Sequence, residues 1–178
     1  MGVLTIQYVK ELKNFKKEFI ILLEYINGNI IEVQTELLIN ASNGKGWMGG
    51  VLGRFILLNG VAESIHYRDH TIERLAKKTV RDMKVKCGDV FHTHSGKLNF
   101  PKGILHAVTM LKPGQKSNLS IIETCLDNIL KFCKDNNINS VAIPLLGTGT
   151  GRVKESKVLK LYNDKLSSSK VIFYVVQL

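Results

Sequence analysis

The sequence predicts an α/β domain of three layers, with helices on both faces of a mixed, mostly parallel sheet of six to seven strands, and three observations predict it. Apolar runs with the pattern of strands alternate along the chain with segments whose apolar residues recur every three to four positions. The run Ser140-Val141-Ala142-Ile143-Pro144-Leu145-Leu146 is apolar almost throughout, as a strand covered on both faces must be. Glycine-rich stretches follow two of the apolar runs directly, where the loops at the carboxyl edge of a parallel sheet gather. Such an alternation can bury all its apolar stripes only by placing helices on both faces of one sheet.

Each element follows from its local pattern. Residues 4–9 alternate apolar and polar, residues 19–26 read as a second strand, and 36–39 as a short buried third. Residues 49–58 read as a helix opening on glycines. Residues 66–80 place Ile72, Leu75, Ala76 and Val80 at helical spacing among Lys and Arg, which predicts an amphipathic surface helix. Strands are expected over 89–93 and 103–109. Over 120–136, Ser120 and Glu123 form a capping box, Ile122, Cys125, Leu126, Ile129 and Cys133 share one face, and Asn136-Asn137 ends the helix. A strand over 140–146, a helix over 153–163 and a strand over 170–176 close the chain.

Length and composition bound the rest. At 178 residues, 44% hydrophobic and 22% charged, the chain reads as one domain over 1–178 with a real core. No apolar run approaches the roughly 20 residues that span a bilayer, and the start MGVLTIQYVKELKNFKK carries charges where a signal peptide has its apolar core. An intracellular protein, monomeric by default, is expected. Three cysteines make no disulfide framework, and Cys125 and Cys133, two turns apart on one helix, stand too far apart to bridge, so all three read as buried thiols. A net charge of +10 favours an anionic partner, with a merely solvated basic surface as the alternative. His92 and His94 form H-x-H, but no Cys, Asp or Glu nearby completes a metal set, so no metal is expected. His106, among apolar neighbours, reads as a satisfied core histidine.

Two loops carry the chemistry. The first is Ile39-Asn40-Ala41-Ser42-Asn43-Gly44-Lys45-Gly46-Trp47-Met48-Gly49-Gly50; the second is Gly147-Thr148-Gly149-Thr150-Gly151. Glycine lets backbone N–H groups turn toward one point, and the natural guest is a phosphate or pyrophosphate. Neither loop carries a P-loop or dinucleotide fingerprint, so tight turns remain the alternative. Asn40 and Asn43 offer neutral donors and acceptors suited to ribose hydroxyls, or else an Asx turn. Trp47 reads equally as a lid and as packing.

Six elements in order resemble the macro domain family of ADP-ribose binders: Asn27-Gly28-Asn29-Ile30-Ile31, Ile39 to Asn43, Met48-Gly49-Gly50-Val51-Leu52-Gly53, Cys87-Gly88-Asp89-Val90, Ile104-Leu105-His106-Ala107-Val108, and Ile143 to Gly149. The resemblance implies a three-layer fold with ADP-ribose as ligand and no cofactor. It implies adenine near Asn29 and Ile30, and the distal ribose beside Asn40, Asn43, Gly49 and Gly50. The pyrophosphate would lie across Gly49, Gly50 and Val51 on one side and Gly147, Thr148, Gly149, Thr150, Gly151 and Arg152 on the other.

Departures from the family pattern bear on activity. Asn29 stands where an aspartate usually holds the adenine amino group; its oxygen still accepts, without the charge. Leu52 stands where many hydrolytic members carry an aspartate. Asn40, Asn43, Gly46, Met48 and Gly49 match the N-x-x-N-x-x-G-x-M-G spacing of a branch that is similar to hydrolases of ADP-ribosylated DNA or glutamate. Yet Lys112 lies beside that branch's lysine position, and Gly151 replaces its late aspartate. The expected function is binding of ADP-ribose or mono-ADP-ribosylated targets. The alternatives are a mono-ADP-ribosyl hydrolase, with Asn43 as the catalytic candidate, and binding of poly-ADP-ribose, RNA or another nucleic acid through the basic surface.

Overall fold

The computed structural model describes residues 22–56 and 60–177. The strand expected over 4–9 and the first residues of that over 19–26 lie outside the described residues. In chain order the elements are β1 (Leu23–Asn27), a 3-10 turn (Ile30–Glu32), β2 (Leu37–Asn43), a second 3-10 turn (Leu52–Arg54), α1 (Val61–Arg68) and α2 (Thr71–Met83). They continue with β3 (Val90–Thr93), β4 (Ile104–Met110), α3 (Leu119–Asp135), β5 (Ser140–Pro144), α4 (Glu155–Leu166) and β6 (Ile172–Gln177).

The six strands form one sheet in the order β1-β6-β5-β2-β4-β3. Every pairing is parallel except β3 against β4. Strand alternation assigns the layers, because successive side chains leave opposite faces. Leu37 and Ile39 of β2, with Leu105 and Ala107 of β4, pack against Cys125, Leu126 and Ile129 of α3 and against Val158 and Tyr162 of α4. Leu38, Ile104 and Val108 face the other way, onto Ile65 of α1 and Ile72 and Ala76 of α2. With five strands pointing the same way, their carboxyl ends reach one edge of the sheet, and the loops that follow them meet there.

Four local expectations are corrected. The helix expected over 49–58 is instead a loop with a 3-10 turn, because Gly49 (φ +122°) and Gly50 (φ +60°) lie in the left-handed region that a helix excludes. The single helix expected over 66–80 is two, broken at Asp69. That carboxylate accepts from the N–H of Thr71 (2.9 Å) and its hydroxyl (2.7 Å), and from the N–H of Lys97 (3.0 Å). Asn118, not Ser120, caps α3: its side-chain oxygen accepts from the N–H of Ile121 at 3.0 Å, and Ser120 lies inside the first turn. Cys125 and Cys133 are buried, with burial pushing both thiols up to about 12, whereas Cys87 is only half-buried. No helix among the described residues is long and apolar enough to cross a membrane.

Candidate functional site

A cleft of about 660 Å³ opens over the carboxyl edge of the sheet. Its floor is the ends of β2, β5 and β6; its walls are the loop after β2, the start of α1, residues 113–114 and the loop 147–151.

The loop after β2 is folded by one carboxamide. The oxygen of Asn43 accepts from the N–H groups of Lys45 (3.1 Å) and Trp47 (3.2 Å), and its nitrogen donates to the carbonyl of Trp47 (2.9 Å). Asn43 therefore lines the cleft while spending its side chain on the loop. Gly46 serves another purpose than facing a ligand: a Cβ there would lie 2.7 Å from backbone atoms of Ala76 and Lys77, so its bare backbone lets the loop rest directly on α2. Trp47 lines the cleft with its ring exposed and its indole nitrogen 3.2 Å from where a side chain on Gly50 would begin. His66 ties the loop down from below. Its Nε2 donates to the carbonyl of Gly50 at 2.8 Å, and its Nδ1 lies 3.0 Å from a carboxylate oxygen of Glu73, which also meets Lys77.

The second loop closes on itself. The carbonyl of Gly147 accepts from the N–H of Val153 (2.9 Å), that of Gly149 from Arg152 (3.0 Å), and that of Gly151 from Ser117 (2.9 Å). Below it, the Tyr162 hydroxyl donates to the carbonyl of Pro144 (2.7 Å) and accepts from the N–H of Leu146 (3.0 Å), which fixes where β5 ends and the loop begins.

Of the residues expected at the site, Asn43, Gly147, Thr148, Gly149, Thr150 and Gly151 line this cleft together. Asn29, Ile30, Asn40, Gly49, Gly50, Val51 and Arg152 are not among its lining residues. Asn29 caps the first 3-10 turn, accepting from the N–H of Ile31 and donating to Glu32, and Ile30 is buried in the core. Val51 and Arg152 are exposed, as is Leu52. Gly50 lies beside the Trp47 indole, and Gly49 lies against Gly53, His66 and Glu63. Lys112 is exposed beside the cleft, which takes Pro113 and Gly114 from the same loop.

Asn40 is displaced for a structural reason. β2 runs on to Asn43, so Asn40 lies within the sheet on the face of Leu38, fully buried and in register with His106 of β4. Its amide donates to Nδ1 of His106 at 3.0 Å, which leaves the ring proton on Nε2, donated to the Thr93 hydroxyl at 2.8 Å. Phe91 stacks on the ring at 4.6 Å. Burial, with a smaller contribution from His92, pushes the His106 pKa down to about 3 from 6.5. A base whose folded pKa is depressed contributes stability that is whole above pH 6.5 and lost as pH falls toward about 3. Stability measured by urea unfolding is expected to fall by about 1.4 kcal/mol per pH unit from this one proton between pH 6.5 and pH 4. His106→Gln is expected to lack that component of the slope.

Among the described residues no group of three or more His, Cys, Asp or Glu is placed to hold a metal. His92 Nε2 donates to the carbonyl of Lys102 at 2.8 Å, and His94 Nδ1 accepts from the N–H of Gly96, so both rings are engaged locally.

The sequence reading missed the acids. Among the described residues lining the cleft, only Glu63 and Glu155 are ionisable, and neither Lys nor Arg is present. Glu155 accepts from Gln177 Nε2 at 2.9 Å at the β1–β6 end. Glu63 is half-buried in the first turn of α1, and burial raises its pKa despite its own N–H and nearby His66 pulling it down. Placing the helix start at Gly60 rather than Gly49 would have brought Glu63 into view.

Three comparisons bear on the arrangement. The macro domain family model matches residues 39–162. A protein of Aquifex aeolicus is 30% identical over 131 residues, 74% of this chain and 72% of its own length. The DNA ADP-ribosyl glycohydrolase of Mycobacterium tuberculosis is 28% identical over 130 residues, 73% of this chain but only 34% of that protein, so this chain matches about a third of it. The structure of Thermosipho africanus DarTG in complex with ADP-ribose superposes with a TM-score of 0.73 at 19% identity, covering 86% of this chain and 41% of that one.

Proposed function

The chain belongs to the macro domain family, and from that membership we propose that its cleft binds ADP-ribose, free or joined to a macromolecule. The observation that carries this reading is the pairing of the Asn43–Gly50 loop with the 147–151 loop over the carboxyl edge of the sheet, in a cleft with no Lys or Arg among the described residues that line it. A diphosphate held there is held by backbone N–H groups, which recognise its oxygens by direction rather than by net charge. The volume of about 660 Å³ lies within the range of small-molecule and cofactor sites. Adenine is assigned to the β1–β6 end, near Asn27, Gln177 and the Asn29–Ile30 turn, and the distal ribose to the end walled by Asn43 and Trp47. The ADP-ribose in the Thermosipho complex supports this choice of ligand.

Titration calorimetry with ADP-ribose tests it. A saturable 1:1 heat is expected, and no detectable heat at submillimolar ligand overturns the proposal.

A further inference from the structure

We propose that His66 is a positioning residue for the diphosphate: a doubly protonated imidazole, paired with Glu73, that fixes the Gly50 peptide from below and sets a positive charge behind the loop. The inference rests on the ADP-ribose reading and gives that site a group that does not line it.

The loop is built around the ring. His66 is fully buried on α1, and its Nε2 reaches the carbonyl of Gly50 at 2.8 Å. A Cβ on Gly53 would lie 3.1 Å from the ring's Cδ2, and one on Gly49 3.7 Å, so these two glycines leave the room that the imidazole fills. In a trans peptide the N–H points opposite to the carbonyl. With the Gly50 carbonyl drawn down to the ring, the N–H of Val51 is turned away from it, and no backbone carbonyl among the described residues takes that N–H.

The neighbours of the ring set its protons. The Gly50 carbonyl faces Nε2, and an oxygen of Glu73 lies 3.0 Å from Nδ1; a carbonyl and a carboxylate accept and cannot donate. Glu73 meets Lys77 with its other oxygen, as a carboxylate does. No donor among the described residues reaches Nδ1, so a ring with one proton would aim a lone pair at the carboxylate. A ring with both protons opposes neither neighbour. Two cations on one buried carboxylate then leave one positive charge beneath the loop.

That charge offsets the acid of the lining. The described lining of the cleft holds no Lys or Arg, and it holds Glu63, whose carboxylate repels a diphosphate. Burial raises the Glu63 pKa, and its own N–H and then His66 pull it back, so the ring acts electrostatically on the acid beside Gly49. Because His66 and Glu73 are shut away from water, salt screens the attraction little.

The test joins nitrogen NMR spectra of the histidine rings to calorimetry with ADP-ribose. At neutral pH both ring nitrogens of His66, assigned by through-bond correlation, are expected to carry protons in the wild type. In Glu73→Gln the amide can donate to Nδ1 while its oxygen still meets Lys77, so the tether to Gly50 is kept and one protonated nitrogen is expected. Glu73→Gln should therefore melt like the wild type yet bind ADP-ribose about 10-fold more weakly. His66→Gln, which loses charge and tether together, should bind more weakly still. A single protonated nitrogen in the wild type overturns the inference, and a loss of fold in either variant leaves that spectrum to decide. Wild-type affinity in Glu73→Gln also overturns it, as does weaker binding with both nitrogens still protonated, which shows a role without the charge. These results fail the His66 assignment alone, whereas no ADP-ribose heat with the wild-type protein fails the binding reading and the role that rests on it.

Discussion

Asn43→Ala is expected to raise the dissociation constant for ADP-ribose at least about 10²-fold and to lower the melting temperature by several degrees. One carboxamide satisfies the N–H groups of Lys45 and Trp47 and the carbonyl of Trp47. Truncation leaves all three without that partner, at about 1 kcal/mol each where water can reach them and more where it cannot. The sum, about 3 kcal/mol or more, exceeds what a seven-residue glycine-rich loop can absorb while keeping one shape. Loss of affinity then comes from an unfolded wall of the cleft, not from a deleted contact. Asn43→Asp separates the two: it keeps both acceptor bonds and loses the donor, so much of the stability should return, while a charge beside the diphosphate keeps binding weak. Calorimetry paired with thermal melts reads both quantities. Unchanged affinity in Asn43→Ala would mean that His66 and Gly46 alone hold the loop.

The second large effect is expected of Gly151→Ala. A Cβ at residue 151 would stand 2.6 Å from the carbonyl oxygen of Gly147 and 3.0 Å from its Cα. Both are backbone atoms, and that carbonyl already accepts from Val153, so relief requires the loop to open. The fold should persist, because the strands and α4 do not depend on this turn, but the N–H groups lining it lose their common aim. Affinity for ADP-ribose should fall by about 10², equivalent to about 2.7 kcal/mol. Gly149 gives the matched comparison: nothing lies within 4 Å of a Cβ there, so Gly149→Ala should leave the melting temperature unchanged. If Gly151→Ala binds as the parent does, the 147–151 loop does not hold the diphosphate.

The contrast between these two glycines shows how far the sequence could be read. The layers were legible because burial writes them directly: the continuous run over 140–146 and the single apolar face of α3 leave few alternatives. The two loops were legible as places, since glycine clusters after buried strands have few other uses. Individual roles were not. Asn40 and Asn43 look equivalent at a spacing of three, yet the strand runs past the first and stops at the second, so one is paired with His106 inside the sheet and the other shapes the loop. The break between α1 and α2 was hidden because Ile65, Ile72 and Ala76 stay in helical phase across it; its cause is Asp69, which answers to Lys97 from 28 positions further on. Glu63 was hidden by a misplaced helix start, and only the positive φ of Gly49 and Gly50 corrects that.

Among the described residues that line the cleft there is no Lys or Arg, although the chain carries a net charge of +10, and on the proposed reading this divides the handling of anions into two steps. On the proposed reading, the net charge of +10 supplies a long-range attraction for any polyanion, indifferent to its identity and sensitive to salt. On the same reading, backbone geometry in the cleft selects the ligand, and the selection is expected to depend little on ionic strength. Encounter and identification would then belong to different parts of the molecule, and surface substitutions are expected to change the rate at which ligands arrive without altering which ligand is kept.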